Sequence, residues 1–122
     1  MDCLFCKIIN KEIPANIIYE DDKVMVILDA FPNVNGHTLI IPKKHIEDFM
    51  EIDNELLLYI FDIAKKLTPM LMEKLNATAM TISVNYGDMQ QIKHYHLHLL
   101  PDLNKKKAKQ DIEEVYKQLM NS

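Results

Sequence analysis

Apolar positions along the chain recur with two different periods, and the switches between them outline the elements. Leu4, Phe5, Ile8 and Ile9 form a short helical stripe that predicts a helix from Leu4 to Lys11, stopped by Pro14. Ile17 to Glu20 reads as a strand, Asp21-Asp22 as a turn, and Val24 to Asp29 as a second strand whose unbroken apolar run implies burial on both faces. After the Asn35-Gly36 turn signal, His37 to Ile41 is a third strand, ended by Pro42. Asp53 is placed to cap a long helix reaching Leu75, with Glu55 favourably set against the helix dipole. Leu56, Ile60, Ile63, Leu67, Met70 and Leu71 make its stripe, Leu57, Phe61, Ala64 and Met72 widen it, and Pro69 should kink it. Asn76 suits the position just past its end. Ala79 to Asn85 alternates as a fourth strand, and Tyr86-Gly87-Asp88 turns the chain into a fifth over Lys93 to Pro101. Lys105 to Asn121 closes the chain as a helix with Ile112, Val115, Tyr116 and Leu119 on one side. The order predicts an α+β fold, one domain over residues 1–122: an antiparallel sheet of about five strands, one long helix, and short N- and C-terminal helices.

The fifth strand carries the chemistry. Side chains alternate across a strand, so His94, His96 and His98 form a row on one face while Tyr95, Leu97 and Leu99 point to the other. Exposed strand positions ordinarily draw on Thr, Lys, Glu or Arg, so a solvent-facing polar row is the plain but weaker reading. Neutral imidazoles in a row suit a transition metal, with a further ligand from elsewhere. They equally suit a phosphate site, with one imidazole as nucleophile and the others as donors to phosphoryl oxygens.

Composition narrows the setting. Apolar content of 48% and charged content of 26% are those of a soluble globular protein, and a net charge of −4 argues against a nucleic-acid scaffold. The longest apolar run, Leu56 to Phe61, is far too short to cross a bilayer, and Asp2 and Lys7 near Met1 disfavour a signal peptide; a cytoplasmic protein is expected. Cys3 and Cys6 are the only cysteines, so a CxxC disulfide in a reducing compartment is disfavoured. Half a zinc site fits better, with His45 and one histidine of the row as the available further ligands. Asp29 ends a buried strand, where a carboxylate needs partners; a surface turn residue before Phe31-Pro32-Asn33 is the equal alternative. The Lys105-Lys106-Lys107 run reads as a solvated helix start, with phosphate steering as the alternative.

With these residues in view, the chain resembles the histidine triad (HIT) family, in particular its small Hint-like, zinc-bearing bacterial branch. The likeness runs through Cys-Leu-Phe-Cys-Lys-Ile-Ile, Glu-Ile-Pro-Ala, Tyr-Glu-Asp-Asp, Leu-Asp-Ala-Phe-Pro, Gly-His-Thr-Leu-Ile-Ile-Pro-Lys-Lys-His and the His-x-His-x-His strand. It implies that His96 is the nucleophile toward an α-phosphorus, forming a nucleotidyl-imidazole, and that His98 and His37 donate to phosphoryl oxygens. Asp29 would bind the ribose hydroxyls, Asn85 would reach the phosphate, and Gln90 and Gln91 would also border the nucleotide. Cys3, Cys6, His45 and His94 would hold a structural zinc. The chain departs from the family in the run Gly87-Asp88-Met89-Gln90-Gln91, which has an amide at Gln91 where a serine hydroxyl often faces the leaving group, and in the loop between Asn85 and His94, which is shorter than usual.

The implied activity is hydrolysis of purine nucleoside phosphoramidates or related AMP- or GMP-type nucleotides, releasing a nucleoside monophosphate. Dinucleoside polyphosphate hydrolysis would use the same residues; a nucleotide-binding adaptor with vestigial catalysis is the rival of another class. The apolar arc of the long helix is wider than one sheet face needs, which predicts a homodimer with that helix at its interface.

Overall fold

A computed structural model describes residues 3–121. Helix α1 (Leu4–Ile9) is followed by strands β1 (Ile17–Glu20), β2 (Val24–Leu28) and β3 (Thr38–Pro42), helix α2 (Asn54–Lys74), strand β4 (Met80–Ser83), a 3-10 turn at Gly87–Met89, strand β5 (Leu97–Pro101) and helix α3 (Ile112–Met120). The strands form one antiparallel sheet in the order β1-β2-β3-β5-β4, so the fold is the expected α+β. All residues of β2 and β3 are buried, because helices or the N-terminal turn cover both faces of these central strands.

Alternation sorts the strand residues between two cores. Val24, Val26, Leu28, Ile40, Leu97 and Leu99 face α2 and α3 and pack with Ile60, Ile63, Leu71, Val115 and Leu119. Met25, Ile27, Leu39 and Ile41 face the other way, onto Cys3, Phe5 and Ile8 of the N-terminal turn. Leu39 pairs with His98, so the histidine row shares this second face with α1.

Several sequence expectations shift. Helix α1 ends at Ile9, two residues short of Lys11, which takes a left-handed φ of 65°. Helix α2 starts after the Asp53 cap as expected, with Asp53 Oδ1 accepting from the Leu56 N–H at 2.8 Å, and runs on through Pro69 to a left-handed Asn76. Strand β4 ends at Ser83, short of Asn85.

The larger differences flank β5. Its ladder starts at Leu97, so only His98 of the three histidines lies inside the strand. Pairing with β3 stops at Ile40–Leu97, and Pro42, two residues further along β3, has no N–H with which to resume it. The Pro42 carbonyl instead accepts from the His94 imidazole at 2.8 Å, and the Tyr95 N–H donates to Ile46 O at 2.7 Å. At the other end, Lys105 to Asp111 is not helical. Asp102, buried and left-handed with φ 50°, accepts from the Thr78 and Ala79 amides and pairs with Lys105 and Lys107. The lysines therefore serve a buried carboxylate and do not start a helix. Asn35 holds the segment that follows, donating to Ala108 O and accepting from the Gln110 N–H, each at 2.9 Å. The adjoining Gly36 has φ 80°, and a Cβ there would run into the Leu75 side chain.

Candidate functional site

The histidine face carries two clusters, one at each end of the row. At one end, His94 Nδ1 lies 3.4 Å from Cys3 Sγ and 3.5 Å from Cys6 Sγ, and His45 Nδ1 lies 3.2 Å from Cys6 Sγ. The four ligand atoms are all within 4.8 Å of one another. Tetrahedral zinc, with bonds of about 2.3 Å to sulfur and about 2.0 Å to nitrogen, needs sulfur–nitrogen separations of about 3.5 Å, which the three separations above approach. The tautomer fits as well. His94 Nε2 is spent as a donor to Pro42 O, so its lone pair sits on Nδ1, facing the thiols. Cys3 Sγ also accepts from the Cys6 N–H at 3.2 Å, a contact that favours thiolate. Burial, and then the neighbouring Cys3, push the Cys6 thiol up to about 11, so a metal must displace a proton there.

At the other end stand His37, His96 and His98. Their protonation pattern follows from which partners can only donate or only accept. The Asn33 amide donates to His37 Nδ1 at 3.1 Å, so the hydrogen of neutral His37 is on Nε2. That Nε2–H meets His98 Nδ1 at 2.9 Å, which makes His98 Nδ1 an acceptor and leaves the hydrogen of neutral His98 on Nε2. His98 Nε2 is buried and has no hydrogen-bond partner among the described residues. His96 has the reverse tautomer. Its Nδ1 donates to His94 O at 2.8 Å, so its Nε2 carries the bare lone pair. The His96 and His98 rings lie 4.8 Å apart, and Phe5 makes an edge-to-face contact with His96, ring centroids 5.0 Å apart.

All three rings are held neutral. Burial lowers the pKa of His37 against the opposing pull of Asp29, burial lowers that of His96, and burial together with His96 and His37 takes His98 down to about 4. A bare ring nitrogen beside a neutral N–H donor can attack an electrophile and stabilise charge on it without prior deprotonation.

The other expected residues fall on both sides of this picture. Asp29 Oδ1 accepts from the Phe31 amide at 2.9 Å, and its Oδ2 stands 3.6 Å from His37 Nε2. Asn85 is half-buried just beyond β4, and continuing the β4–β5 register would set it opposite His96. His37 was expected to reach phosphoryl oxygens directly; its Nε2–H is instead taken by His98, so it orients that ring. Gln90 is turned inward, its amide donating to Glu47 O at 2.7 Å and Ile92 O at 3.1 Å, which braces the loop in place of facing a ligand. Gln91 is exposed and borders a hollow next to Cys3, His45 and Lys93, on the metal-cluster side. Phe5, the Asn33 amide and the Pro42 carbonyl escaped the sequence reading. Phe5 was the findable one, standing between the two cysteines on the helix stripe.

Comparison with known proteins agrees with this geometry. A family model described as HIT domain matches residues 10–105. An uncharacterized HIT-like protein of Methanocaldococcus jannaschii is 44% identical over 102 residues, 81% of this chain and 78% of its own. Among solved structures, a Zn-bound histidine triad family protein from Mycobacterium smegmatis superposes with a TM-score of 0.88 at 33% identity, covering 98% of this chain and 91% of that one. A hypothetical histidine triad nucleotide-binding protein from Sulfolobus tokodaii gives 0.83 at 34% identity, covering 96% and 86%.

Proposed function

The chain belongs to the HIT domain family, and on that premise we propose that it is a nucleotide hydrolase or transferase cleaving purine nucleoside phosphoramidates of the AMP or GMP type. One observation carries the reading: His96, whose Nε2 is bare, has its ring 4.8 Å from that of His98, whose buried Nε2–H has no partner among the described residues. A buried N–H without a partner costs about 1–3 kcal/mol, and a phosphoryl oxygen would satisfy it. His96 Nε2 attacks the α-phosphorus, and the bond to the leaving group breaks with its electron pair on the departing atom. Water then attacks phosphorus, the P–N bond to His96 breaks, and a nucleoside monophosphate leaves. His98 donates to the phosphoryl oxygen as charge builds, with the Asn33 amide and His37 fixing its tautomer. Asp29 Oδ2 is the acceptor for a ribose hydroxyl, and Asn85 flanks the phosphate.

Zinc held by Cys3, Cys6, His45 and His94 is structural in this reading, since all four positions are filled by protein atoms. Among the described residues no helix is long and apolar enough to cross a membrane, in keeping with a cytoplasmic role. The homodimer is part of the same proposal. Leu58 and Phe61 on α2, with Ile82, Tyr86 and Met89 on and just after the edge strand β4, are exposed apolar groups that a second copy would cover. Light scattering should give twice the chain mass at micromolar concentration, and Leu58→Glu should give monomer; a monomeric wild type overturns the dimer.

The function is tested with adenosine 5′-phosphoramidate. Wild-type turnover should yield AMP, and an alkaline denaturing quench, under which the P–N bond survives, should trap nucleotide on His96. Nucleotide binding without turnover would favour the adaptor, and turnover of a dinucleoside polyphosphate alone would favour the polyphosphate hydrolase.

A further inference from the structure

On β4, Met80 and the following Val84 pack toward the α2 side of the sheet, so alternation turns Thr81 and Ser83 to the histidine face. Ser83 is the direct cross-strand partner of His98. Opposed residues of an antiparallel pair have Cβ atoms roughly 4.5–5.5 Å apart, so the Ser83 hydroxyl stands on the flank of His98 opposite to His37, β5 lying between β3 and β4. The hydroxyl is half-buried and makes no hydrogen bond to another described residue. Its neighbour His98 Nε2 is buried and also unpartnered. A serine on an edge strand is ordinarily just solvated. Here two polar groups side by side lack partners, on the face where phosphorus would sit, and the loop amide at Gln91 is on the far side of the row.

We propose that Ser83 is the leaving-group contact of this site, its hydroxyl hydrogen-bonding the atom that departs from phosphorus and favouring alkylamine phosphoramidates. The inference rests on the phosphoramidase reading above. In the bound substrate Ser83 Oγ accepts from the P–N–H group; as the P–N bond breaks with its pair on nitrogen, the hydroxyl turns and donates to that pair. Ser83 keeps its proton. The nitrogen takes one from water, and the hydroxide so formed is consumed when the nucleotidyl-His96 is hydrolysed, which closes the balance. A hydrogen bond that strengthens as the bond breaks speeds the reaction, and it matters most where the departing atom is most basic.

The test compares wild type, Ser83→Ala and Ser83→Thr on an adenosine alkylphosphoramidate and on an AMP ester of an acidic phenol, whose departure needs no such help. Ser83→Ala should lose about tenfold in kcat/KM on the alkylamine substrate and less than about twofold on the phenol ester, and Ser83→Thr should recover most of the loss. AMP affinity and melting temperature should match wild type in both variants, which separates the effect from misfolding. Equal losses on the two substrates, or none, overturn the role of Ser83 while leaving the phosphoramidase reading standing. Wild type inert toward both substrates overturns both.

Discussion

His94 and His96 are two residues apart on one face, both buried, both touching Phe5, yet they are prepared for different work. His94 spends Nε2 on the Pro42 carbonyl and shows Nδ1 to the thiols; His96 spends Nδ1 on the His94 carbonyl and keeps Nε2 bare, its ring 4.8 Å from that of His98. Residue type and burial are the same, so the difference lies in which nitrogen a backbone oxygen occupies. A single acceptor thus decides whether an imidazole turns its lone pair to the thiols or keeps it for the proposed reaction. The two ends are also joined, because the carbonyl that orients His96 belongs to His94. Whatever fixes His94 also fixes His96, the proposed nucleophile.

The largest expected effect breaks the comparison at the reactive end. His96→Ala should lower phosphoramidate turnover by at least about 10³-fold, since it removes the attacking atom, while zinc content stays at one per chain. Residual turnover within tenfold of wild type would place the nucleophile elsewhere. Next comes the metal end. Cys3→Ser with Cys6→Ser should abolish zinc in protein purified without added metal and lower Tm by at least about 4–8 °C, the equivalent of about 1 kcal/mol. Full zinc in that variant would refute the assignment.

A smaller effect sharpens the contrast through pH. His98 is held to about 4 by burial and by its neighbours His96 and His37, against an ordinary histidine value near 6.5 when unfolded. Between those values the unfolded chain binds the extra proton, so this residue's contribution to stability is complete above pH 6.5 and falls away as pH drops toward 4. Acidifying from pH 7 to 4.5 should cost roughly 1 kcal/mol or more, about 4 °C in Tm, and His98→Gln should show a shallower decline. Imidazole nitrogen NMR reads the tautomers directly: hydrogen on Nδ1 for His96 and on Nε2 for His98. The same tautomer on both rings would undo the chain of donors that starts at the Asn33 amide.

What the sequence could and could not reveal follows the same physics. The i, i+2 histidines and the CxxC are local patterns, and both clusters stand where those patterns put them. The tautomers were illegible, because they depend on carbonyls at Pro42 and His94 and an amide at Asn33 that only the fold brings into reach. Lys105 to Asp111 misled for a similar reason. The helical spacing that begins at Ile112 extends backward on paper through a lysine run, while a buried Asp102, with its pKa brought to about 2 mainly by Lys107, draws Lys105 and Lys107 across to itself. Gln90 was expected beside the nucleotide because of its place ahead of the row, but the Glu47 and Ile92 carbonyls claim its amide.

The smallest expected effect concerns Gln91, and it tests which end of the row the loop belongs to. On chain position alone Gln91 replaces a hydroxyl facing the leaving group, and Gln91→Ser should then speed alkylamine release selectively. The structure puts Gln91 on the outer side of the metal cluster, exposed, bordering the hollow shared with Cys3, His45 and Lys93, with no hydrogen bond to another described residue. The loop from Gly87 is too short to carry it past His94: the Gly87–Met89 turn closes with the Gln90 amide on Gly87 O at 3.0 Å, and the inward-pointing Gln90 side chain then fixes the next residue outward. A side chain there cannot assist a departing amine without unseating Gln90. Gln91→Ser should therefore change kcat/KM by less than about twofold on alkylamine and acidic-phenol substrates alike, within the range of an ordinary surface substitution. A selective gain for alkylamines would show that the loop reaches the reactive end in the working enzyme, and would transfer the leaving-group contact from Ser83 to Gln91.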